Sequence, residues 1–232
     1  MPKGWAKGFT KETHPSILKI SKTFKQKKLD NFAAWRKRAK VAGVIKSIYP
    51  QFKQDGDLAE LIGVVLGDGN IGVFSRSERL VIAGNTSNEG FIRRYSNIIE
   101  IVFKKKPVLV RSRGANCTRI SIYEKHISKR LGIPSGNKGK AIFIIPSWIK
   151  RRKQLLIRYL RGLYEAEGSF CVHKPTSTYK FLFKNTNPTL LKIVYEGMKT
   201  LGFHPHQSFQ QVQISKKAEV YAAQNLLQFR QY

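Results

Sequence analysis

Apolar positions along this chain change their spacing in a fixed order, and they do so twice. From Leu58 to Leu66 nearly every residue is apolar. A run of that length reads as a largely buried helix of roughly three turns, with Asp57 as its opening residue. Two stretches of alternation follow, 70–76 and 79–84, the signature of paired half-buried strands. Helical spacing returns over Glu89–Phe103, then alternation over 108–113 and 117–123, and a last helix is expected near Glu124. The same order recurs with a helix at 156–166, strands at 169–173 and 179–184, a helix at 189–201, strands at 204–209 and 211–215, and a helix near Lys217. The chain therefore reads as α+β, two pseudo-symmetric αββαββα halves. Strands meeting as hairpins make antiparallel sheets, with helices covering one face of each.

The repeat extends to individual residues. Leu61-Ile62-Gly63-Val64-Val65-Leu66-Gly67-Asp68-Gly69 aligns with Leu160-Arg161-Gly162-Leu163-Tyr164-Glu165-Ala166-Glu167-Gly168 at an offset of 99 residues. Small residues match at 63/162 and 67/166, acids at 68/167, and glycine at 69/168. Asn85-Thr86-Ser87-Asn88 and Asn185-Thr186-Asn187-Pro188 close the second strand of each copy. Internal repetition of this kind is an architectural signal. Residues four apart share a helix face, so each helix presents two small residues and two such helices can approach closely. Packing them brings Asp68 and Glu167 together at two helix C-termini, where unpaired carbonyls already make the potential negative. A divalent cation relieves that conflict, and oxygen ligands suit Mg²⁺ or Mn²⁺.

Composition narrows the chemistry. There are 43 Lys+Arg against 14 Asp+Glu in 232 residues, a formal charge of +29. An excess of that size suits a polyanion, because cations that neutralise phosphates release condensed counterions. It does not suit an ordinary metabolic enzyme. A hydrophobic fraction of 41% excludes a disordered basic arm. Cys117 and Cys171 cannot build a disulfide scaffold or a four-ligand zinc site, and free thiols suit a reducing interior. With no apolar leader and no long apolar run, the expected location is intracellular, in cytoplasm or nucleoid, with no membrane partner. Carboxylates that can hold metal, beside a basic surface, are the parts of a phosphodiester hydrolysis site.

The two nine-residue segments resemble the paired signature motifs of single-chain LAGLIDADG homing endonucleases of the intron-encoded type. The resemblance covers roughly 58–232. The second copy matches better; the first departs at Leu66, where the pattern prefers a polar residue. The resemblance implies two halves joined through the motif helices, with their sheets forming a saddle over double-stranded DNA. It implies Asp68 and Glu167 as metal-binding catalytic acids, with the Gly67 and Ala166 carbonyls joining the metal shell. It implies solvent-orienting polar residues at Asn85 and Asn185, and a basic residue near the scissile phosphate. Lys138 matches that place first and Lys140 second. No equivalent loop follows in the second copy, where Lys184 is a substitute.

Strand alternation selects side chains for the DNA face. Ile71 and Val73 are expected to face the helices, leaving Asn70, Phe74 and Arg76 outward. Ser169, Cys171 and His173 share that parity in the second copy, as do Lys180 and Lys184. Arg111 and Arg113 are placed to reach guanine edges or phosphates, and Gln211 and Gln213 to read adenine. His204, His206 and the Cys171/His173 pair lack partners at zinc spacing and read as ordinary strand residues. No phosphate-binding glycine loop of Walker or Rossmann type is present.

The expected boundaries are 1–57, a basic helical extension with 14 Lys+Arg and 4 acidic groups; 58–153; and 154–232. Within the extension, one or two basic helices are expected between Ile17 and Ile48. The function expected is metal-dependent, site-specific cleavage of both DNA strands by a monomer. The alternatives are a maturase acting on structured RNA, a non-cutting DNA-binding regulator on the same scaffold, and a ribosome-associated structural protein.

Overall fold

The double succession of apolar helix and hairpins is realised in a computed structural model, which describes residues 6–43, 46, 48–139 and 141–232. Lys140 lies outside the described residues. In chain order the elements are α1 (Pro15–Gln26), α2 (Ala33–Val41), α3 (Gly56–Gly67), β1 (Gly69–Val73), β2 (Glu78–Asn85), α4 (Glu89–Phe103), β3 (Val108–Arg111), β4 (Cys117–Glu124), α5 (Ile127–Leu131), α6 (Ser147–Lys150), α7 (Lys153–Glu167), β5 (Gly168–His173), β6 (Thr178–Lys184), α8 (Pro188–Thr200), β7 (His206–Ser208), β8 (Gln211–Ile214) and α9 (Lys217–Leu227). The chain divides into two compact units, Met1–Tyr49 and Pro50–Tyr232.

In the first unit, Pro15 occupies the first turn of α1, where its missing N–H costs nothing, and His14 Nδ1 accepts from Ser16 N. α1 has no buried residue, and Ala39 is the buried residue of α2. Most of this unit is therefore solvent-facing and cationic.

The second unit holds two four-stranded antiparallel sheets of identical order, β1-β2-β4-β3 and β5-β6-β8-β7. Ile71, Leu80, Ile82, Ile120 and Ile122 turn inward from the first sheet; Phe181, Phe183, Val212 and Ile214 do so from the second. The repeated asparagines have a local cause. Asn88 Oδ1 accepts from Phe91 N at 3.2 Å to cap α4, and Asn187 Oδ1 accepts from Thr189 N at 2.9 Å to cap α8. Three expectations change. Asp55, not Asp57, caps α3 by accepting from Leu58 N at 3.1 Å, which leaves Asp57 to pair with Arg158 across the helix interface. Glu124 stays in β4, and the helix after it is only five residues long. Val73 is 67% exposed and does not face the helices, because β1 is ending there.

α3 and α7 pack backbone against backbone. A Cβ on Gly63 would overlap the Tyr159 carbonyl oxygen; one on Gly162 would overlap the Glu60 carbonyl oxygen and sit 2.7 Å from Val64 N. One on Gly67 would overlap the Ala166 methyl. Beside this seam, Glu60 is 0% exposed and takes Arg94 Nε at 2.6 Å and Arg158 Nε at 2.6 Å. Arg161, 2% exposed, lies between Glu60 and Glu165 at 3.7 and 3.8 Å. A buried charge is tolerable only when so partnered. Substituting Gly162→Ala must push backbones apart. It is expected to cost about 1–3 kcal/mol, read as a lower urea midpoint at unchanged m-value. The same change at Gly139, where only the Asn137 amide oxygen approaches, is expected to cost much less.

Candidate active site and nucleic-acid face

Close approach of α3 and α7 carries both motif acids to one place. Asp68 is the C-cap of α3, and Glu167 is the last residue of α7. A Cβ on Gly67 would lie 3.1 Å from Glu167 Cγ, so the two helix ends are in contact. Lys138, far away in the chain, reaches into the junction. Its Nζ donates to the carbonyls of Val65, Leu66 (3.0 Å) and Gly67 (3.3 Å), the orphan acceptors at the end of α3. The loop carrying it is fastened at both ends. Gly136 N donates to Ile71 O at 2.9 Å, and Asn187 Nδ2 donates to the carbonyls of Lys138, Gly139 and Ala141. One asparagine thus caps α8 and pins the lysine loop of the other half.

The electrostatics follow from this crowding. Asp68 is exposed on one side, where solvent screens it. Its carboxyl is nevertheless pushed up to about 7, by burial of its inner side and then by the Glu167 carboxylate, against the pull of Lys138. Burial also raises Glu167, again opposed by Lys138. Burial pushes Lys138 down to about 8, while the two acids hold it up. Asn185 Nδ2 donates to Glu167 Oε1 at 3.2 Å. Asn85 lines the basin beside Asp68, with its Oδ1 taken by Ser87 N at 2.9 Å and Ser87 Oγ at 2.6 Å. Lys184 lines the basin beside Glu167. Among the described residues no cluster of three or more His, Cys, Asp or Glu is present. Two crowded carboxylates, with the Gly67 and Ala166 carbonyls at the same helix ends, form an oxygen donor set that fits a hard divalent cation.

Arg230 carries no signal in its own stretch of sequence. The segment after α9 crosses to the first half much as the Lys138 loop crosses to the second. Arg230 N donates to Glu165 Oε1 at 2.8 Å, the Tyr232 hydroxyl donates to Glu165 Oε2, and Tyr232 fills the space where Gly90 has no side chain. The Arg230 guanidinium touches Gly168 O at 3.5 Å and lines the Asp68 basin with Asn85. No loop motif announces it. A sequence signal existed only in the conjunction of a late arginine with the repeat.

Pairing register identifies the open sheet faces, since directly paired residues share a face. On the second sheet Cys171 pairs with Lys180 and Lys184 with Gln211. Ser169 and Gln213 both pair with Leu182, and His173 has the same parity. These lie opposite the buried Phe181 and Phe183. On the first sheet Asn70 is outward, and Phe74 and Arg76 are exposed in the β1–β2 turn. Arg111 departs from expectation. It pairs with Thr118, on the face of buried Ile120, and it is Arg119, paired with Val110, that points to the open side. Arg113 is exposed in the β3–β4 turn. Arg79 also joins the open face, its guanidinium 5.5 Å from the Phe74 ring centroid and 5.9 Å from that of Tyr123.

The Asp68 shift has a definite sign. A carboxyl at about 7 when folded and 3.8 when unfolded favours the folded state only while protonated, so its contribution is lost as pH rises from about 4 to 7. In chelator, Asp68→Asn is expected to match the parent chain's melting temperature near pH 4 and exceed it at pH 8. A variant less stable than the parent at pH 8 contradicts the crowded-carboxylate geometry.

No family model matches the chain. The tRNA-splicing ligase RtcB of Pyrococcus furiosus (strain ATCC 43587) is 30% identical over 139 residues, which is 53% of this chain but 14% of that protein. The chain therefore spans about one seventh of that relative. Among solved structures, I-DmoI in complex with DNA and Mn is 17% identical, with a TM-score of 0.51 over 74% of this chain and 96% of that one. Full-length DUF199/WhiA from Thermatoga maritima is 15% identical, with a TM-score of 0.54 over 77% of this chain and 57% of that one. The N-terminal LAGLIDADG domain of DUF199/WhiA is 14% identical, with a TM-score of 0.50. Two antiparallel sheets joined through a glycine-seamed helix pair, and these likenesses, give the chain the LAGLIDADG fold.

Proposed function

We infer that this chain is a metal-dependent, site-specific endonuclease of the homing type, cutting both strands of double-stranded DNA as a monomer. The observation that carries the reading is the convergence of Asp68 and Glu167, both carboxyls raised chiefly by burial, between two open sheet faces in a chain of charge +29. A scaffold that only bound DNA gains nothing from two mutually repelling acids at negative helix ends. The fold alone does not decide this, since DUF199/WhiA carries it as well as I-DmoI.

The roles follow from placement. Asp68 and Glu167 would hold the cations, Mg²⁺ or Mn²⁺, with the Gly67 and Ala166 carbonyls beside them. Bound there, such ions supply activation of water and stabilisation of the leaving oxygen. Asn185 fixes the Glu167 carboxylate, and Asn85 occupies the equivalent position in the Asp68 basin. Lys138 and Arg230 bring a cation to each side of the acid pair, where a phosphate's developing charge needs one. Asn70, Phe74, Arg76, Arg79 and Arg119 from the first sheet, with Ser169, Cys171, His173, Lys180, Lys184, Gln211 and Gln213 from the second, offer amides, cations and rings to base edges and phosphates. The basic unit up to Tyr49 adds sequence-independent phosphate contacts.

Selection of cleaved sequences from a randomised duplex library with Mg²⁺ should return one long asymmetric site. On plasmid bearing it, Asp68→Asn or Glu167→Gln is expected to abolish cutting while Kd changes by less than about tenfold, ~1.4 kcal/mol. Arg230→Ala should leave nicked circles, because it alters one basin only. Binding without cutting by the parent chain would leave the regulator reading, and preference for a folded intron RNA the maturase reading. Deleting residues 1–49 is expected to flatten the slope of log Kobs against log salt, by about 0.9 for each phosphate that is no longer neutralised. An unchanged slope means that this unit does not touch DNA.

A further inference from the structure

The tips of the two outer hairpins are not alike. In the first sheet the β3–β4 turn, 112–116, carries Ser, Arg, Gly, Ala and Asn, closed by Ser112 N donating to Cys117 O at 2.9 Å. Its largest apolar side chain is a methyl. In the second sheet the β7–β8 turn is Phe209-Gln210, and Phe209 is 89% exposed. Phe74, the other exposed phenylalanine at a hairpin tip of the two sheets, is laid down on neighbours. Phe74 has Tyr123 at 5.9 Å between ring centroids and Arg79 above it. Among the described residues, no ring or guanidinium lies against Phe209.

The tip is held firmly although its side chain is not. Ser208 pairs with Gln211 across the turn, and Asn185 N donates to Gln210 O at 3.1 Å. Gln210 takes φ +56°, a left-handed conformation that a glutamine adopts only at a cost and that fixes the turn. The bond to Gln210 comes from Asn185, the residue whose side chain donates to Glu167. Phe209 therefore stands a fixed distance from the acid. It lines one basin with Glu167, Lys184, Asn185, Thr186 and Gln211. That basin is cationic and amide-rich apart from the acid itself, so an apolar ring there has no apolar neighbour to join.

We propose that Phe209 is a wedge that enters the base stack of bound DNA beside the phosphate held in the Glu167 basin. The proposal rests on the nuclease reading. Its occupant is a base step of the duplex, argued from charge: Lys184 and the basic sheet draw in a phosphodiester backbone, and the largest apolar faces on such a partner are base rings. A rigid apolar side chain inserted at a step unstacks it and kinks the helix. Steps that unstack cheaply, the pyrimidine–purine ones, would then be preferred at that position without any hydrogen bond to a base edge. The first half has no counterpart, so the distortion is one-sided. Phe209 makes no contact with reacting atoms; it acts on specificity and on the placing of the phosphate.

The test uses the full chain and the duplex recovered by selection, with 2-aminopurine placed singly at each position flanking the two cuts, in chelator so that no strand is broken. Binding should raise the emission at one step on the Glu167 side. Phe209→Ala should lose that rise and weaken binding by roughly 5- to 150-fold. Phe209→Trp should keep the rise, and both variants should melt like the parent, since the side chain supports no core. A parent complex that binds tightly with no rise at any position, or a rise that survives in Phe209→Ala, overturns the wedge and leaves the nuclease reading standing. A parent chain that binds no duplex at all overturns both.

Discussion

The candidate site depends on how near two helix backbones can come. α3 and α7 touch where Gly63 faces the Tyr159 carbonyl and Gly162 faces the Glu60 carbonyl, and neither contact leaves room for a Cβ. One helical turn further on, Gly67 and Ala166 meet in the same way. Had the seam been built from leucine, the helices would stand the usual 8–10 Å apart, and their ends would diverge accordingly. The acids are close because the residues before them are small. That closeness is unfavourable by itself, since it sets two carboxylates against two negative helix ends. Lys138 offsets part of the cost by donating to three of the carbonyls, and a phosphate-bound cation offsets the rest on the proposed reading.

The pseudo-symmetry is a property of the backbone and not of the chemistry. Buried Glu60, Arg161 and Glu165, with half-buried Arg94 and Arg158, form a charged seam, yet their repeat-related positions, such as Ile62 opposite Arg161 and Leu66 opposite Glu165, are apolar. Such a network is weak evidence for added stability, because apolar packing of similar volume would hold the helices as well. The same inequality reaches the site. Glu167 has a side-chain partner in Asn185, whereas Asn85 spends its acceptor on Ser87. Lys138 sits against helix carbonyls, and Arg230 is steered by Glu165 through its backbone. The two basins are thus built from different cations and different second partners, so an asymmetric substrate suits them better than a palindrome.

The fold was legible in the amino-acid order to the extent that burial is periodic. Glu89–Phe103 was readable to the residue because one face repeats at helical spacing and Asn88 stands before it; the left-handed Lys104 that ends it carries no signal in the sequence. The strands were readable to within three positions, and the errors lie where a strand ends: the first was expected to run to 76 but stops at Val73, which keeps the apolar identity of an inward residue on the last rung of the ladder, opposite Glu78. Arg111 failed for a different reason. Outward parity was assigned from Arg–Val alternation, but β3 is an edge strand exposed on every residue, so alternation there carries no burial information. Only the pairing with β4 fixes its face. In the candidate site, the meeting of Asp68 and Glu167 was legible because each closes one copy of the repeated motif, whereas Lys138 came only from the resemblance. Arg230 and Asn187 were not legible, since their roles come from crossing to the opposite half, which no local window contains.

On the proposed reading, a chain of +29 that holds cations faces a conflict of sign. Its field draws polyanions and repels Mg²⁺ at long range. The two carboxylates reverse that field only within their own junction, and Lys138 competes with any cation for the Gly67 carbonyl at 3.3 Å. Bound DNA changes the balance, because its phosphates cancel the surrounding charge and offer oxygens to the same ion. Linkage then works both ways: DNA strengthens the hold on metal, and metal strengthens the hold on DNA at the one position where a phosphate meets the acid pair. Non-specific duplex satisfies the basic surfaces but need not place a phosphate there. On that reading the overall charge governs how fast DNA arrives, while the acid junction governs where along it chemistry can occur.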